Sequence, residues 1–305
     1  MHRPGWKSRT PRDLGAGWDF DDVRDHYLQL FFRTDPVPLR YADHDRYLDL
    51  GRIATGEAMA EVFQEWRRKR STCGGGLVWF LRDLWPGAGW GLVDSSGLPK
   101  AAYYHLSRSL QPVTVFLTDE GVNGLAVHLV NDRDTTLEAR LDIALYTRGE
   151  VLVARSAREL SLPSRVALEL PVAGWFDGFM DLSYAYRFGR PPADLLVATL
   201  SDRSGSLIAQ AFHFPTGRPT QRESDIGIRA EATRRDDDHF DLRIRTRRMA
   251  QSVSIRAAGF TPSDNYFHIP PDAERLVAMR RMAGAGSLKG TVLALNAESG
   301  VRIDV

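Results

Sequence analysis

The sequence predicts a multidomain protein with an α/β part in residues 1–111 and all-β domains after it. The chain has 305 residues, too many for one small domain and suitable for two or three. Apolar residues recur at helical spacing before Pro112 and at every second position after it. Hydrophobic residues make up 43% of the chain and charged residues 26%, which is ordinary globular composition.

Two helices are expected in the first seventy residues. Asp19 or Asp21 can cap the first one, because a short acidic side chain accepts hydrogen bonds from free amides at a helix start. Pro36 and Pro38 are expected to break the chain after it. The second helix is predicted over 45–70, where apolar residues lie three and four positions apart.

A buried strand is predicted next, over residues 77–81. Glycines at 74–76 lead into this almost uniformly apolar run, which is typical of a strand covered on both faces in a parallel sheet. A loop rich in Trp, Gly and Pro follows over 83–97, and Pro99 is expected to begin a helix. The order helix, helix, strand, loop, helix indicates an α/β arrangement.

Short strand candidates recur after Pro112, with turn residues between them. Such regular spacing is typical of β-sandwiches. The stretch 215–219 is predicted to be a linker, so the sandwiches would cover 112–216 and 217–305. The strand candidates are 113–118, 124–130, 137–146, 150–155, 165–170, 180–187, 195–200, 206–214, 226–232, 239–246, 253–259, 275–280 and 290–295.

Charge and cysteine content exclude several kinds of function. A net charge of +1 removes the general electrostatic argument for nucleic acid or an anionic membrane as a partner. The single cysteine, Cys73, cannot form an intrachain disulfide or a cysteine-based zinc site, and it is expected to be a buried structural thiol. No stretch reads as a signal peptide or a membrane helix, so a cytoplasmic protein is expected.

Asp83 is the strongest candidate for a functional residue. It comes just after the apolar run, in a loop that also carries Trp85 and Trp90. Aromatic faces beside carboxylates bind sugars, because rings stack on C–H groups while acids accept from hydroxyls. The alternative is that Trp79, Trp85 and Trp90 anchor the core and the loop, and these residues alone leave both interpretations open.

Other carboxylates and histidines offer weaker signals. Glu57, Glu61 and Glu65 share one helix face, which is expected to be solvated rather than catalytic. The eight histidines form no recognisable metal-binding motif, so no metal site is predicted.

A more specific signal lies in residues 75–94, which read GGLVWFLRDLWPGAGWGLVD, and in 99–104, which read PKAAYY. This stretch resembles the β-mannosidase branch of glycoside hydrolase family 2, where it is similar to the eighth barrel strand, its loop and the final barrel helix. Residues 130–132 and 263–267 resemble pieces of the sandwich domains of that family.

The resemblance implies the C-terminal portion of a retaining β-glycosidase. Residues 1–111 would be the C-terminal part of a (β/α)8 barrel, and 112–216 and 217–305 would be two immunoglobulin-like β-sandwiches. Retaining hydrolysis needs two carboxyl groups roughly 5 Å apart. In the family both glutamates precede the region seen here, and neither motif is found in 1–112. No catalytic residue is therefore expected in this chain, and the chain is expected to be inactive alone.

The resemblance also implies a sugar-binding role for part of the loop and a β-mannoside or related glycan as partner. Trp79 would form the floor of the subsite that holds the cleaved sugar. Phe80 and Arg82 stand where the family commonly has Gln and Asn, which leaves the sugar preference open. No cofactor is implied. The predicted substrate-binding residues are Trp79, Asp83, Trp85 and Trp90.

Two other functions stay open at this point, together with the question of whether the chain is an enzyme at all. The sandwiches could form a non-catalytic carbohydrate-binding or interaction module. Trp175, Phe176 and Phe179 come closest to an aromatic platform there, although packing between domains is the expected role for them. The chain could also be one half of a split glycosidase, with an N-terminal partner supplying the missing strands and both glutamates.

Overall fold

The computed structural model describes residues 19–87 and 89–305, and its contacts divide the chain into two compact units. The first unit contains 19–60, 77–106 and 218–305, and the second contains 61–76 and 107–217. Strands dominate the structure, and the helices are few. The predicted three-part division at 111 and 216 stays a prediction.

In the described residues, four α-helices lie before the first strand. They are α1 (Phe20–Phe32), α2 (Pro36–Ala42), α3 (His44–Trp66) and α4 (Ala101–Ser109). Asp19 caps α1 as predicted, and Asp22 completes a capping box by accepting from the Asp19 amide at 2.8 Å. The break expected at Pro36 is only partly right, because α1 ends at Phe32 but Pro36 then begins α2. Proline suits a first helical turn, where the missing N–H has no intrahelical acceptor.

The helical part of the first unit packs around Tyr47. Its side chain is fully buried, and its hydroxyl donates to Asp25 at 2.6 Å. Arg24 and Arg40 donate to the same hydroxyl at 3.0 and 3.1 Å and lie over the ring, so three helices meet at one side chain. The buried apolar cluster here consists of Leu28, Phe31, Phe32, Tyr47, Leu50, Ile53, Ala54 and Leu295.

Residues 77–81 do not form the buried strand that the sequence predicts. Within the described chain no strand lies beside them, and only Arg82 makes an isolated parallel bridge, with Val93. Leu77 is fully exposed and Trp79 is 75% exposed. An apolar run becomes a buried strand only when neighbouring strands supply hydrogen bonds and cover both faces. Cys73, expected to be buried, is exposed as well.

The second unit contains a two-sheet β-sandwich with antiparallel pairing. One sheet has the order β1 (Val113–Asp119), β2 (Leu125–Asn131), β5 (Val166–Pro171). The other has the order β4 (Val151–Leu162), β3 (Leu137–Thr147), β6 (Leu195–Asp202), β7 (Leu207–His213). Alternate side chains of both sheets fill the core, as the period-two pattern predicts. The core includes Val115, Val127, Leu129, Leu141, Ile143, Leu145, Leu196 and Leu200.

The strand predicted at 180–187 is absent, and a structured loop takes its place. Asp181 accepts hydrogen bonds from the backbone amides of Ala185, Tyr186 and Arg187 at 2.9–3.1 Å. A short acidic side chain that captures backbone amides in this way competes with sheet pairing.

The first unit contains a second two-sheet sandwich. One sheet has the order β12 (Phe267–Ile269), β10 (Ala250–Ala257), β14 (Lys289–Leu293), β15 (Val301–Asp304), and the other β11 (Phe260–Pro262), β13 (Glu274–Arg281), β9 (His239–Arg245), β8 (Arg229–Arg234). The sequence does not predict β11, β12 and β15, because three or four residues are too short to show alternation. The core includes Phe240, Leu242, Ile244, Val253, Val277, Met279 and Val292.

Candidate functional site

The four predicted substrate-binding residues lie in one segment of the first unit, between the glycine run and α4. Trp79, Trp85 and Trp90 are exposed, whereas Asp83 is buried. The ring centroids of Trp79 and Phe80 lie 6.2 Å apart. The peptide bond between these two residues is cis. The Trp90 ring lies 5.9 Å from that of Phe20 on α1. The segment therefore presents aromatic surface to solvent around one buried carboxylate.

The Asp83 carboxylate ties the loop together. One oxygen accepts from the Gly91 amide at 2.8 Å, and the other accepts from the Lys100 ammonium. The same ammonium donates to the Gly89 carbonyl at 3.2 Å, so it bridges two points of the loop. Both carboxylate oxygens of Asp83 accept hydrogen bonds from the chain itself, and the side chain is 7% exposed.

Two glycines allow the loop to close over Asp83. A Cβ at Gly89 would lie 2.4 Å from an Asp83 carboxylate oxygen, and a Cβ at Gly91 would lie 2.5 Å from the same atom. Contacts this short are incompatible with any side chain unless the loop moves. Gly89 and Gly91, which belong to the predicted loop rich in Trp, Gly and Pro, are therefore required by close packing.

The backbone around Asp83 forms a small ladder. The Asp83 amide donates to the Val93 carbonyl at 3.0 Å, and the Val93 amide donates to Leu81 at 2.9 Å. Val93 also forms an antiparallel bridge with Pro99, so Pro99 belongs to this ladder and α4 begins at Ala101 instead. The loop carrying Trp85 and Trp90 is thus held at both of its ends.

Asp94 organises the turn that closes the ladder. Its carboxylate accepts from the amides of Ser96 and Leu98 at 2.9 and 3.0 Å, and from the Ser96 hydroxyl at 2.6 Å. Burial alone would raise the pKa of Asp94, but these hydrogen bonds outweigh it and lower that pKa. Asp94 is therefore an ionised turn residue at neutral pH.

The chemistry that this segment can perform is binding rather than proton transfer. A general acid or base must reach the proton that it transfers, and structural hydrogen bonds to its oxygens oppose that role. The two oxygens of Asp83 are already engaged by Gly91 and Lys100. Indole rings with exposed surface, by contrast, can stack on the C–H face of a sugar ring.

The predicted solvated helix face is wrong for Glu57, which is buried. It lies on α3, where Arg218 donates to it at 2.9 Å and His268 on β12 lies 3.8 Å away. His105 on α4 packs against the neighbouring Gly56, where a Cβ would lie 2.5 Å from the imidazole. The glycine in mid-helix is the signal that could have indicated this close approach.

The electrostatics of Glu57 are those of a permanent anion. Burial would raise its pKa, but the charges of Arg218, His105 and His268 outweigh burial and lower the pKa to about 2. A catalytic acid needs a raised pKa instead. Glu57 therefore acts as a charged anchor between the helices and the strands of the first unit.

The three residues considered as an aromatic platform do not form one. Trp175 is 5% exposed, with the Arg158 guanidinium 4.2 Å from its ring centre. Phe176 packs against the core of the second unit. Phe179 alone of the three is well exposed.

Membrane-spanning helices and clusters of metal-binding side chains are both absent from residues 19–87 and 89–305. No helix there is long and apolar enough to cross a membrane. No group of three or more His, Cys, Asp or Glu side chains in the same residues could hold a metal ion.

Comparison with known sequences points to one group of enzymes. A protein named Beta-mannosidase B from Aspergillus terreus is 25% identical over 250 residues, which cover 78% of this chain and 29% of that protein. A protein of the same name from Aspergillus niger is 40% identical over 76 residues, or 24% of this chain and 9% of that protein. The chain resembles a portion of a β-mannosidase. No family model matches it.

Two solved structures of glycosidases share the fold of this chain. A β-D-mannosidase from Dictyoglomus thermophilum superposes with a TM-score of 0.67 at 19% identity, covering 90% of this chain and 32% of that one. The exo-chitosanase of Amycolatopsis orientalis superposes with a TM-score of 0.71 at 12% identity, covering 99% of this chain and 39% of that one. This β-mannosidase-like chain thus spans about a third of the length of the proteins that it resembles over most of its own length.

Proposed function

We propose that this chain is the C-terminal portion of a retaining β-mannosidase-like glycoside hydrolase, and that it is inactive alone. Residues 1–111 would complete a (β/α)8 barrel, and the two sandwiches would be immunoglobulin-like domains over 112–216 and 217–305. The observation that carries the proposal is the segment 75–104, whose sequence resembles the β-mannosidase branch and whose tryptophans are exposed around a buried aspartate.

In this proposal the segment forms one wall of a sugar pocket. Trp79 stacks on the sugar ring that is cleaved from the glycan. Asp83 is a positioning residue, because its contacts hold the loop that carries Trp85 and Trp90. The substrate would be a β-mannoside or a related β-glycoside, and the cytoplasm is the proposed location, which a chain with a single cysteine is compatible with.

The exposure of residues 77–81 supports the proposal that further barrel strands would lie beside this segment. A strand-like segment with open apolar faces lowers its free energy by pairing with other strands. The remainder of the barrel, in the same polypeptide or in a separate chain, would supply those strands together with both catalytic glutamates. A separate chain would make the protein one half of a split glycosidase.

The test is a hydrolysis assay on an aryl β-mannoside. The isolated chain should show no turnover above the uncatalysed rate, because neither leaving-group protonation nor nucleophilic attack is available. Turnover by the isolated chain that disappears when one of its own carboxylates is replaced would contradict the proposal.

A further inference from the structure

A second aromatic surface lies in the loop between β5 and β6, in the second unit. Phe179 and Phe188 are 72% and 79% exposed, and Tyr186 between them is also exposed. The Tyr186 ring lies 5.5 Å from that of Phe179 and 5.7 Å from that of Phe188, measured between centroids. These three side chains are called the aromatic patch below.

The backbone under the aromatic patch is ordered by its own hydrogen bonds. Asp181 accepts from three successive amides, and Tyr184 and Arg187 adopt left-handed conformations with φ of 55° and 56°. The Tyr186 hydroxyl donates to the Val122 carbonyl at 3.0 Å, and the Ser183 hydroxyl donates to Gly121 at 2.8 Å. A loop backbone ordered in this way loses little conformational entropy when a ligand binds.

The same loop carries two cationic side chains. Arg187 and Arg190 are exposed, and neither is paired with a carboxylate in the part of the chain that the structure describes. A guanidinium offers five N–H donors and no acceptor. Flat rings and guanidinium donors in one loop match a pyranose, which presents C–H groups on its face and hydroxyl oxygens at its edge.

The size of the aromatic patch favours a sugar over a protein. The three side chains together expose on the order of 400 Å². A stable protein interface needs about 800 Å² on each partner. A patch of this area instead covers one or two sugar rings.

We propose that the aromatic patch is a second carbohydrate-binding surface for a neutral β-linked glycan. It stands in a different compact unit from Trp79, and it binds substrate chains without taking part in cleavage. The choice of glycan class rests on the proposed function, whereas the location of the surface rests on the rings and the two arginines.

The test is calorimetric titration of the 305-residue chain with β-1,4-linked mannohexaose. The unmodified chain should bind with millimolar or better affinity. The double variant Phe179→Ala with Phe188→Ala should bind about tenfold or more weakly, because two stacking faces are lost. The variant Tyr41→Ala, which removes a ring that is 71% exposed in the first unit, serves as the matched control and should bind normally.

The outcomes separate this proposal from the proposed function. Equal affinity of the double variant and the unmodified chain would overturn the second surface, even if Trp79→Ala weakens binding. Absence of any heat at about 10 mM mannohexaose, where a millimolar site fills, would overturn it as well. If the double variant melts at a lower temperature, the single variant Phe188→Ser takes its place with the same expectation. Aryl β-mannoside hydrolysis by a polypeptide that also contains the remainder of the barrel tests the proposed function independently.

Discussion

Glu57 and Asp83 are buried carboxylates, and each forms an ion pair with a cationic side chain. Glu57 pairs with Arg218, and Asp83 with Lys100. Similar residues in the sequence, such as Glu65, remain exposed on the same helix as Glu57. The surroundings rather than the residue type therefore decide which carboxylate is structural, and neither of the two buried ones resembles a free catalytic acid.

Replacing Glu57 with glutamine should destabilise the protein by about 3 kcal/mol, because the change removes the buried carboxylate that pairs with the partly buried Arg218 guanidinium. Urea unfolding measures this difference. Glu65→Gln on the same helix is the control, since an exposed pair with Arg68 contributes roughly 0.5 kcal/mol or less. Equal stability of the two variants would show that Glu57 is not a charged anchor.

The contribution of Glu57 should also depend on pH. Its pKa is about 2 in the folded protein against 4.5 as the ordinary value, so its contribution is fully present above pH 4.5. It is lost as the pH falls from 4.5 towards 2, where the carboxyl becomes protonated in both states. The stability difference between the unmodified protein and Glu57→Gln should therefore shrink over that range. A difference that stays constant down to pH 2 would contradict the lowered pKa.

At the scale of the element, the loop 83–94 depends on close packing of glycine against Asp83. Gly91→Ala should destabilise the loop by about 1–3 kcal/mol, because the new methyl group would displace the carboxylate and the backbone of residue 83. Hydrogen exchange of the amides in 83–94 should then be faster. Gly74→Ala, where nothing lies within 4 Å, is the matched control and should leave exchange in this loop unchanged. Normal exchange in Gly91→Ala would mean that Asp83 does not hold the loop.

Elements with a clear period could be predicted from the sequence, and others could not. The alternation in 137–146 predicts β3, and the spacing of three and four predicts α3. The loop at 180–187 could not be predicted, because the decisive contacts are amide hydrogen bonds to Asp181. The short strands β11 and β12 carry no pattern, since their pairing is set by β13 and β10.

The candidate site could be predicted only in part. The sequence singles out Asp83 and the three tryptophans by their order after an apolar run. It does not indicate that Gly91 and Lys100 occupy both oxygens of Asp83, because these contacts depend on the loop closing back. It also places Glu57 on a solvated face, since Arg218 and His268 approach from more than 150 residues away in the chain.

At the scale of the whole molecule, the exposed run 77–81 should cause self-association. Leu77 and Leu81 present apolar surface that other chains can cover. Sedimentation should show a mass that rises with concentration, and the double variant Leu77→Ser with Leu81→Ser should stay closer to the monomer. A pair of exposed apolar residues elsewhere, Leu30→Ser with Val37→Ser, is the control and should not reduce association. If the protein stays monomeric at all concentrations, the prediction that residues 77–81 cause self-association is wrong.

The most direct test of the proposed function is aryl β-mannoside hydrolysis by this chain, alone and together with the polypeptide encoded upstream of it. The chain alone should show no turnover. Turnover should appear when the upstream polypeptide is present, fused or as a separate chain, and should decrease about tenfold or more in Trp79→Ala, because a stacking face in the sugar pocket is lost. An upstream polypeptide that restores no activity, or full activity in Trp79→Ala, would contradict the proposed function.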